Sequence, residues 1–176
     1  RLVERHVLRQ HAVGAAAKRR GQHGTRHRTG HPGLEERRDH AITDAHAVPV
    51  DAMLEIDRWL LSELNALVVK VTDELEGFDP TDAARAIETF VDDLSNWYVR
   101  RSRRRFWRGA SEGDDDKQSA YDTLYMALVT VSKLIAPFTP FVAEELYRNL
   151  VVSQDPAAPV SVHLAMWPGA DPTLID

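Results

Sequence analysis

The sequence predicts an all-α fold: a four-helix bundle of about a hundred residues, preceded by a mostly irregular N-terminal segment and followed by a short extended C-terminal tail. Three observations predict it. Beyond Asp51, apolar residues recur at three- and four-residue steps over stretches long enough for several helical turns. Helix stop and start signals separate those stretches, namely Gly77, Asp79-Pro80, Pro137 and Thr139-Pro140. Before residue 47 no such periodicity exists.

The first 46 residues contain seven of the eight histidines and nine arginines, and the first Phe, Trp or Tyr is Trp59. Gly21, Gly24, Gly30, Pro32 and Gly33 interrupt any helical pattern, and little apolar surface is on offer to offset chain entropy. Residues 1–47 are therefore expected to be disordered or weakly helical, with a short helix allowed around Leu2 to Lys18. His23, His27 and His31 would align on a helix as metal ligands, but Gly24, Gly30 and Pro32 disfavour that helix, and no metal site is assigned.

Each helix of the bundle, residues 48–152, has its own stripe. Met53, Ile56, Leu60, Leu64, Leu67, Val71 and Leu75 define helix one, stopped by Gly77. In helix two, Asp79 caps, Pro80 takes the first helical position and Asp82 sits near the orphan amides. Its stripe is Ala83, Ile87, Phe90, Val91, Leu94 and Tyr98. Gly109 to Asp116 reads as an acidic loop. Helix three follows with Tyr121, Leu124, Leu128, Val131 and Ile135, and Pro137 ends it. Thr139 caps helix four, Pro140 opens it, and Phe141, Leu146, Tyr147 and Leu150 line it. The Pro-rich tail, residues 153–176, holds one extended candidate at Val160 to Ala165.

Composition narrows the function. A formal net charge of −5 excludes indiscriminate nucleic-acid binding by the whole surface but permits a local basic stripe. There is no cysteine, hence no disulfide or thiolate metal site, and a reducing, cytoplasmic setting is expected. No apolar run suits a membrane span and the start lacks a signal-peptide core, so a soluble protein is expected.

The charge concentrates in SNWYVRRSRRRFW, residues 95–107, where five arginines fall between residues 100 and 105. Continuing the helix-two stripe by regular steps brings positions 101 and 105 to the angle of Leu94 and Ile87, and both are arginine. The stretch from Arg100 onward is thus not expected to pack in the apolar interior. Either the helix projects past the bundle, or that face meets something negative. Regular geometry also sets Trp97 and Trp107 on the flank shared by Arg100 and Arg104. In one reading the arginines pair with Asp92, Asp93, Glu112 and Asp114 to Asp116 around a solvated helix end, which contributes little. In the other, guanidinium groups hold phosphates and aromatic planes stack on unpaired bases, as in recognition of RNA loops.

Four stretches, taken in order, carry a resemblance: IDRWLLSELNALV, FVDDLSNWYVRRSRRRFW, DTLYMALVTVSKLIAPFTPFVAEELY and SVHLAMWP. Together they resemble the anticodon-binding region of the isoleucyl-tRNA synthetases over approximately residues 48–168. DRWLLS and APFTPF alone are similar to the wider class I group, including the valyl, leucyl and methionyl enzymes. The resemblance implies a helical bundle that receives the tRNA anticodon stem-loop beside the catalytic domain of a parent enzyme. Carried onto this sequence, it implies an RNA-binding set of Asn96, Trp97, Arg100, Arg101, Arg103, Arg104, Arg105, Trp107 and Arg108. The arginines are expected to contact phosphates, and Trp97 or Trp107 to pack at the loop. Tyr98 and Phe106 are read as core or sealing residues, Pro137, Phe138, Pro140 and Phe141 as shaping a turn, and Asp57, Arg58 and Trp59 as anchoring helix one.

The sequence departs from the family in three respects. The HIGH and KMSKS signatures that bind ATP are missing, as are a Gly-rich phosphate loop and the editing domain. No cofactor is expected on this chain, ATP and Mg²⁺ belonging to the full-length enzyme, and the chain alone is not expected to activate an amino acid. Residues 1–46 do not match the end of a catalytic domain and resemble an out-of-frame translation of GC-rich sequence joined to a correct frame near Pro49. The expectation is a fragment that binds the isoleucine tRNA. Its rivals are the corresponding bundle of a valyl enzyme, a free-standing bundle that docks on an acidic protein, and an unexpressed reading frame. Helix one is expected to expose a face that a missing domain would cover.

Overall fold

The structure, a computed structural model, describes residues 52–107 and 115–175. Residues 1–51, with seven of the histidines, residues 108–114, with Arg108 and most of the stretch expected to be an acidic loop, and residue 176 lie outside the described residues.

Four helical rods form the fold, and no strand occurs among the described residues. The first is α1, Glu55–Glu76. The second is continuous but heterogeneous: α2, Pro80–Asp93, passes into a π-helical stretch, Leu94–Val99, and on into α3, Arg100–Trp107. α4 spans Asp115–Leu134, and α5, Pro140–Tyr147, continues as a second π-helical stretch, Arg148–Val152. Two 3₁₀ turns, Val162–Leu164 and Pro172–Leu174, lie in the tail.

The α1–α2 turn shows why the rods are antiparallel. The Asp79 amide donates to the Glu74 carbonyl at 2.8 Å and the Phe78 amide to the Leu75 carbonyl at 3.1 Å, the pairing of a Schellman turn. Phe78 holds the left-handed position, with φ 61°, which glycine usually fills. The Asp79 carboxylate then accepts from the amides of Thr81 and Asp82, both at 3.1 Å, so the predicted cap is in place. Asp79→Ala is expected to cost about 0.5–2 kcal/mol in a urea titration, and Asp79→Asn far less.

The main core joins α1, the α2–α3 rod and α4. Leu60, Leu64, Leu67 and Val71 of α1 meet Ala83, Ile87, Phe90, Leu94 and Tyr98 of the second rod and Ala127, Val131 and Leu134 of α4. A smaller cluster joins Ala143, Tyr147 and Val151 to Val162 of the tail. The expected stripes hold for helix one from Ile56 to Leu75, Met53 lying before the helix, and for helix two except Val91, which is exposed.

Four expectations need correction. α4 begins at Asp115, so Asp115 and Asp116 form its acidic first turn instead of ending a loop. Its buried line is Ala120, Thr123, Ala127, Val131 and Leu134, largely one position N-terminal of the predicted stripe. Small residues there let α4 pack between α1 on one side and α5 on the other. Phe141 is 88% exposed, and Ala143, Tyr147 and Val151 carry that helix's contacts instead. Val160 to Ala165 is not a strand: Ser161 caps a 3₁₀ turn through the His163 amide.

The tail also packs along α1. Trp167 Nε1 donates to Thr72 Oγ1 at 2.9 Å, the Asp171 amide donates to Asn65 Oδ1 at 2.7 Å, and Ala170 packs on the main core. Glu144 holds the start of this strap, accepting from Ser161 Oγ at 2.8 Å and the Val162 amide at 3.0 Å. Those two hydrogen bonds, that of the Ser161 hydroxyl foremost, keep the Glu144 carboxyl below its ordinary pKa. No helix of the described residues is long and apolar enough to cross a membrane.

Candidate nucleic-acid interface

The buried positions along the second rod are Ala83, Ile87, Phe90, Leu94, Tyr98, Ser102 and Arg105. From Phe90 to Ser102 the step is four residues three times in succession. An α-helix of 3.6 residues per turn would drift off the core over that interval. The wider π turns of Leu94–Val99 absorb the drift, so Ser102 and not Arg101 meets the interior.

One of the five arginines therefore goes inward. Arg105 Nη1 and Nη2 donate to Asp57 Oδ1 and Oδ2 at 2.7 and 2.6 Å, a two-pronged ion pair with a carboxylate that has no exposed surface. Asp57 accepts two more hydrogen bonds, from Tyr98 Oη at 2.7 Å and Ser119 Oγ at 2.8 Å. Arg105 also donates from Nη2 to the Asp116 carbonyl at 2.9 Å, and its Nε lies 2.7 Å from Asp116 Oδ1. Residues of α1, the π stretch, α3 and α4 thus converge on one buried carboxylate.

Burial by itself would raise the Asp57 pKa. The hydrogen bonds from Arg105, Tyr98 and Ser119, with the Arg105 charge, more than reverse that and hold the carboxyl below its ordinary range. Burial, the hydrogen bond to Asp57 and the Asp57 charge push the Tyr98 hydroxyl far above its ordinary value. For Arg105, burial lowers the pKa but pairing with Asp57 outweighs it. The network is one of full-time charges.

This corrects the assignment of Arg105 to RNA. The negative group that its face was expected to meet is Asp57 of the same chain, and its guanidinium is consumed there. Asp57 was legible as a helix anchor, and Ser102, Asp116 and Ser119 were not singled out. The available signal was a carboxylate on the core stripe of helix one, between Met53 and Leu60, facing an arginine on the core stripe of helix two.

The other described arginines of the run, Arg100, Arg101, Arg103 and Arg104, are exposed, and none makes an ion pair with a described residue. Of the ion pairs in the solvated-end reading, that of Arg105 with Asp116 forms, while Asp92 accepts instead from Asn96 Nδ2 at 2.7 Å. Trp97 is 52% exposed with the Arg101 guanidinium 5.0 Å from its ring centre. Trp107 is 68% exposed with Arg103 at 5.6 Å. Each stack is an i,i+4 pair. Tyr98 and Phe106 take the predicted sealing roles: their rings meet edge-on at 6.4 Å, and Phe106 meets Tyr121 edge-on at 5.1 Å.

A helical face with four guanidinium groups that have no carboxylate partner among the described residues, and with two wide aromatic planes, is chemically suited to a flexible polyanion with exposed bases. Comparison with known proteins narrows the choice. A sequence model of the anticodon-binding domain of tRNA ligases matches residues 57–176. The isoleucine–tRNA ligase of Dehalococcoides mccartyi is 66% identical over 122 residues, which is 69% of this chain and 12% of that protein. The isoleucine–tRNA ligase of Thermus thermophilus is 56% identical over 129 residues, 73% of this chain and again 12% of the relative. That of Streptomyces coelicolor is 52% identical over 136 residues, 77% of this chain and 12% of the relative. The chain spans about 12% of the length of the curated relatives it matches. Because the domain model extends over more than half of its residues, the chain belongs to the anticodon-binding domain family of the tRNA ligases.

Proposed function

We propose that this chain binds the anticodon stem-loop of a tRNA, that the tRNA is the isoleucine acceptor, and that it does so in the cytoplasm as the anticodon-binding part of an isoleucine–tRNA ligase. The observation that carries the reading is the set of four exposed arginines on one helix with no carboxylate partner among the described residues. Unpaired guanidinium groups this close repel one another, and an arriving phosphate backbone relieves that repulsion. Arg100, Arg101, Arg103 and Arg104 contact phosphates, while Trp97 and Trp107, each under a guanidinium, take the faces of loop bases. ATP-dependent charging, with Mg²⁺ and the catalytic domain, belongs to the full-length enzyme.

The test is a salt titration of binding by the full 176-residue chain to transcripts of isoleucine, valine and methionine tRNAs. With three or four phosphates neutralised, log affinity falls against log salt with a slope of about −2 to −4. Preference for the isoleucine transcript with such a slope supports the reading. Equal binding to all three would leave an electrostatic grip without selection, preference for the valine transcript would favour the valyl relative, and a slope near zero would remove RNA contact altogether.

A further inference from the structure

We propose that Asp57 and Arg105 are positioning residues for the basic surface: their buried ion pair fixes the rotation of α3 so that Arg100, Arg101, Arg103 and Arg104 face outward together. The inference rests on the RNA-binding reading above.

α3 has little apolar material with which to orient itself. Its only buried residues are Ser102 and Arg105, and Phe106 is half-buried. A helix is normally held in rotation by an apolar stripe; this one is held by a planar fork. Both Nη atoms of Arg105 meet both oxygens of Asp57, while Nη2 and Nε also reach Asp116. Two directions of approach, from α1 and from the first turn of α4, define the plane of the guanidinium. The four exposed arginines lie within five residues of it on the same rigid backbone. Rotation of α3 by one residue's worth of arc would carry Arg101 or Arg104 toward the core and Arg105 toward solvent.

Loss of the fork leaves the bound geometry available but populated for less of the time, so apparent affinity falls by the competent fraction while the number of phosphate contacts in the complex is unchanged. This separates positioning from contact. Asp57, on another helix and with no exposed surface, cannot touch RNA, which makes it the decisive partner.

The experiment measures affinity and salt slope of the full chain for an isoleucine tRNA transcript, at a temperature where circular dichroism shows every variant helical. The variants are Asp57→Asn, Arg105→Lys, the two combined, Ser119→Ala as a milder loosening of the same carboxylate, and Arg104→Gln as a contact control. Asp57→Asn and Arg105→Lys should each weaken binding about five- to tenfold, and the combination no more than the worse single change, because both remove one device. Their salt slopes should match wild type, whereas Arg104→Gln lowers the slope magnitude by about 0.7 to 0.9. Ser119→Ala should weaken binding about two- to threefold, and with Arg105→Lys it carries the test if Asp57→Asn does not fold. The proposal is overturned if Asp57→Asn and Ser119→Ala melt earlier yet bind as tightly as wild type, since the pair then only supports the fold. It is equally overturned if Arg105→Lys keeps full affinity, as a simple phosphate contact would allow. Wild-type protein without salt-dependent binding would instead remove the RNA reading and this inference with it.

Discussion

Arg105→Ala is expected to destabilise the chain by about 3–5 kcal/mol, the largest single-residue effect foreseen outside the apolar core. The substitution leaves the Asp57 carboxylate buried, charged and short of two of its four hydrogen bonds. A paired change, Asp57→Leu with Arg105→Met, should recover most of the loss by replacing the ions with packed apolar groups. Tyr98 tolerates the pair because the Ala120 carbonyl, 3.1 Å from its hydroxyl, offers another acceptor. Chemical denaturation of the three proteins measures the difference; a cost below about 1 kcal/mol for Arg105→Ala would mean that water reaches Asp57.

The same carboxylate fixes the pH dependence. Its pKa is lower in the folded chain than in the unfolded one, so its contribution is complete above the unfolded value, about 4, and is lost as pH falls through the folded value. Tyr98 acts at the other extreme: its raised pKa makes a contribution that is complete below about 10 and is lost as pH rises beyond that. Acid melts of wild type should therefore steepen below about pH 4, and those of the paired apolar variant should be flatter there.

Replacing Arg100, Arg101, Arg103 and Arg104 together by glutamine is expected to weaken tRNA binding on the order of a hundredfold or more at low salt and to bring the salt slope near zero. The fold should be untouched, since all four side chains are exposed and make no ion pair with a described residue. Substituting only Arg101 and Arg103 separates two roles. These are the guanidiniums lying over Trp97 and Trp107, so their loss also uncovers the rings and leaves base stacking, worth about 1–3 kcal/mol per base, largely in place. Filter-binding titrations from 50 to 200 mM salt measure both; retention of a steep slope by the fourfold variant would move the phosphate contacts elsewhere.

Periodicity and cap chemistry made the four rods legible, because both are local: Asp79-Pro80 and Gly77 act within a few residues of where they stand. The α4 phase was not legible. Its sequence offers two apolar edges, and only the presence of partners on two sides shows which residues are covered. The tail escaped for a related reason. Trp167 and Asp171 bond to Thr72 and Asn65, about a hundred residues earlier in sequence, and no local pattern announces such pairings. At the basic helix, composition disclosed the exposed arginines and the two indoles, but uniform helical stepping carried the count wrongly through residues 94–99. Regular stepping already brought Arg105 to the core angle; with the π turn included Ser102 takes the inward place of Arg101, and Arg105 stands opposite Asp57 on facing stripes.

That turn has a consequence for how such a surface can change. A π turn holds one more residue than the α-helical path it replaces, so the stretch 94–99 reads as an insertion that the helix absorbed by widening. Were the same residues wound as a regular α-helix, everything after them would be turned by about 100°. The basic helix would keep every arginine it has now, yet its inward residues would differ. Which charges this domain displays is therefore encoded by the winding of the segment as much as by the arginines themselves, and substitutions that returned it to α-helical geometry would re-aim the whole face.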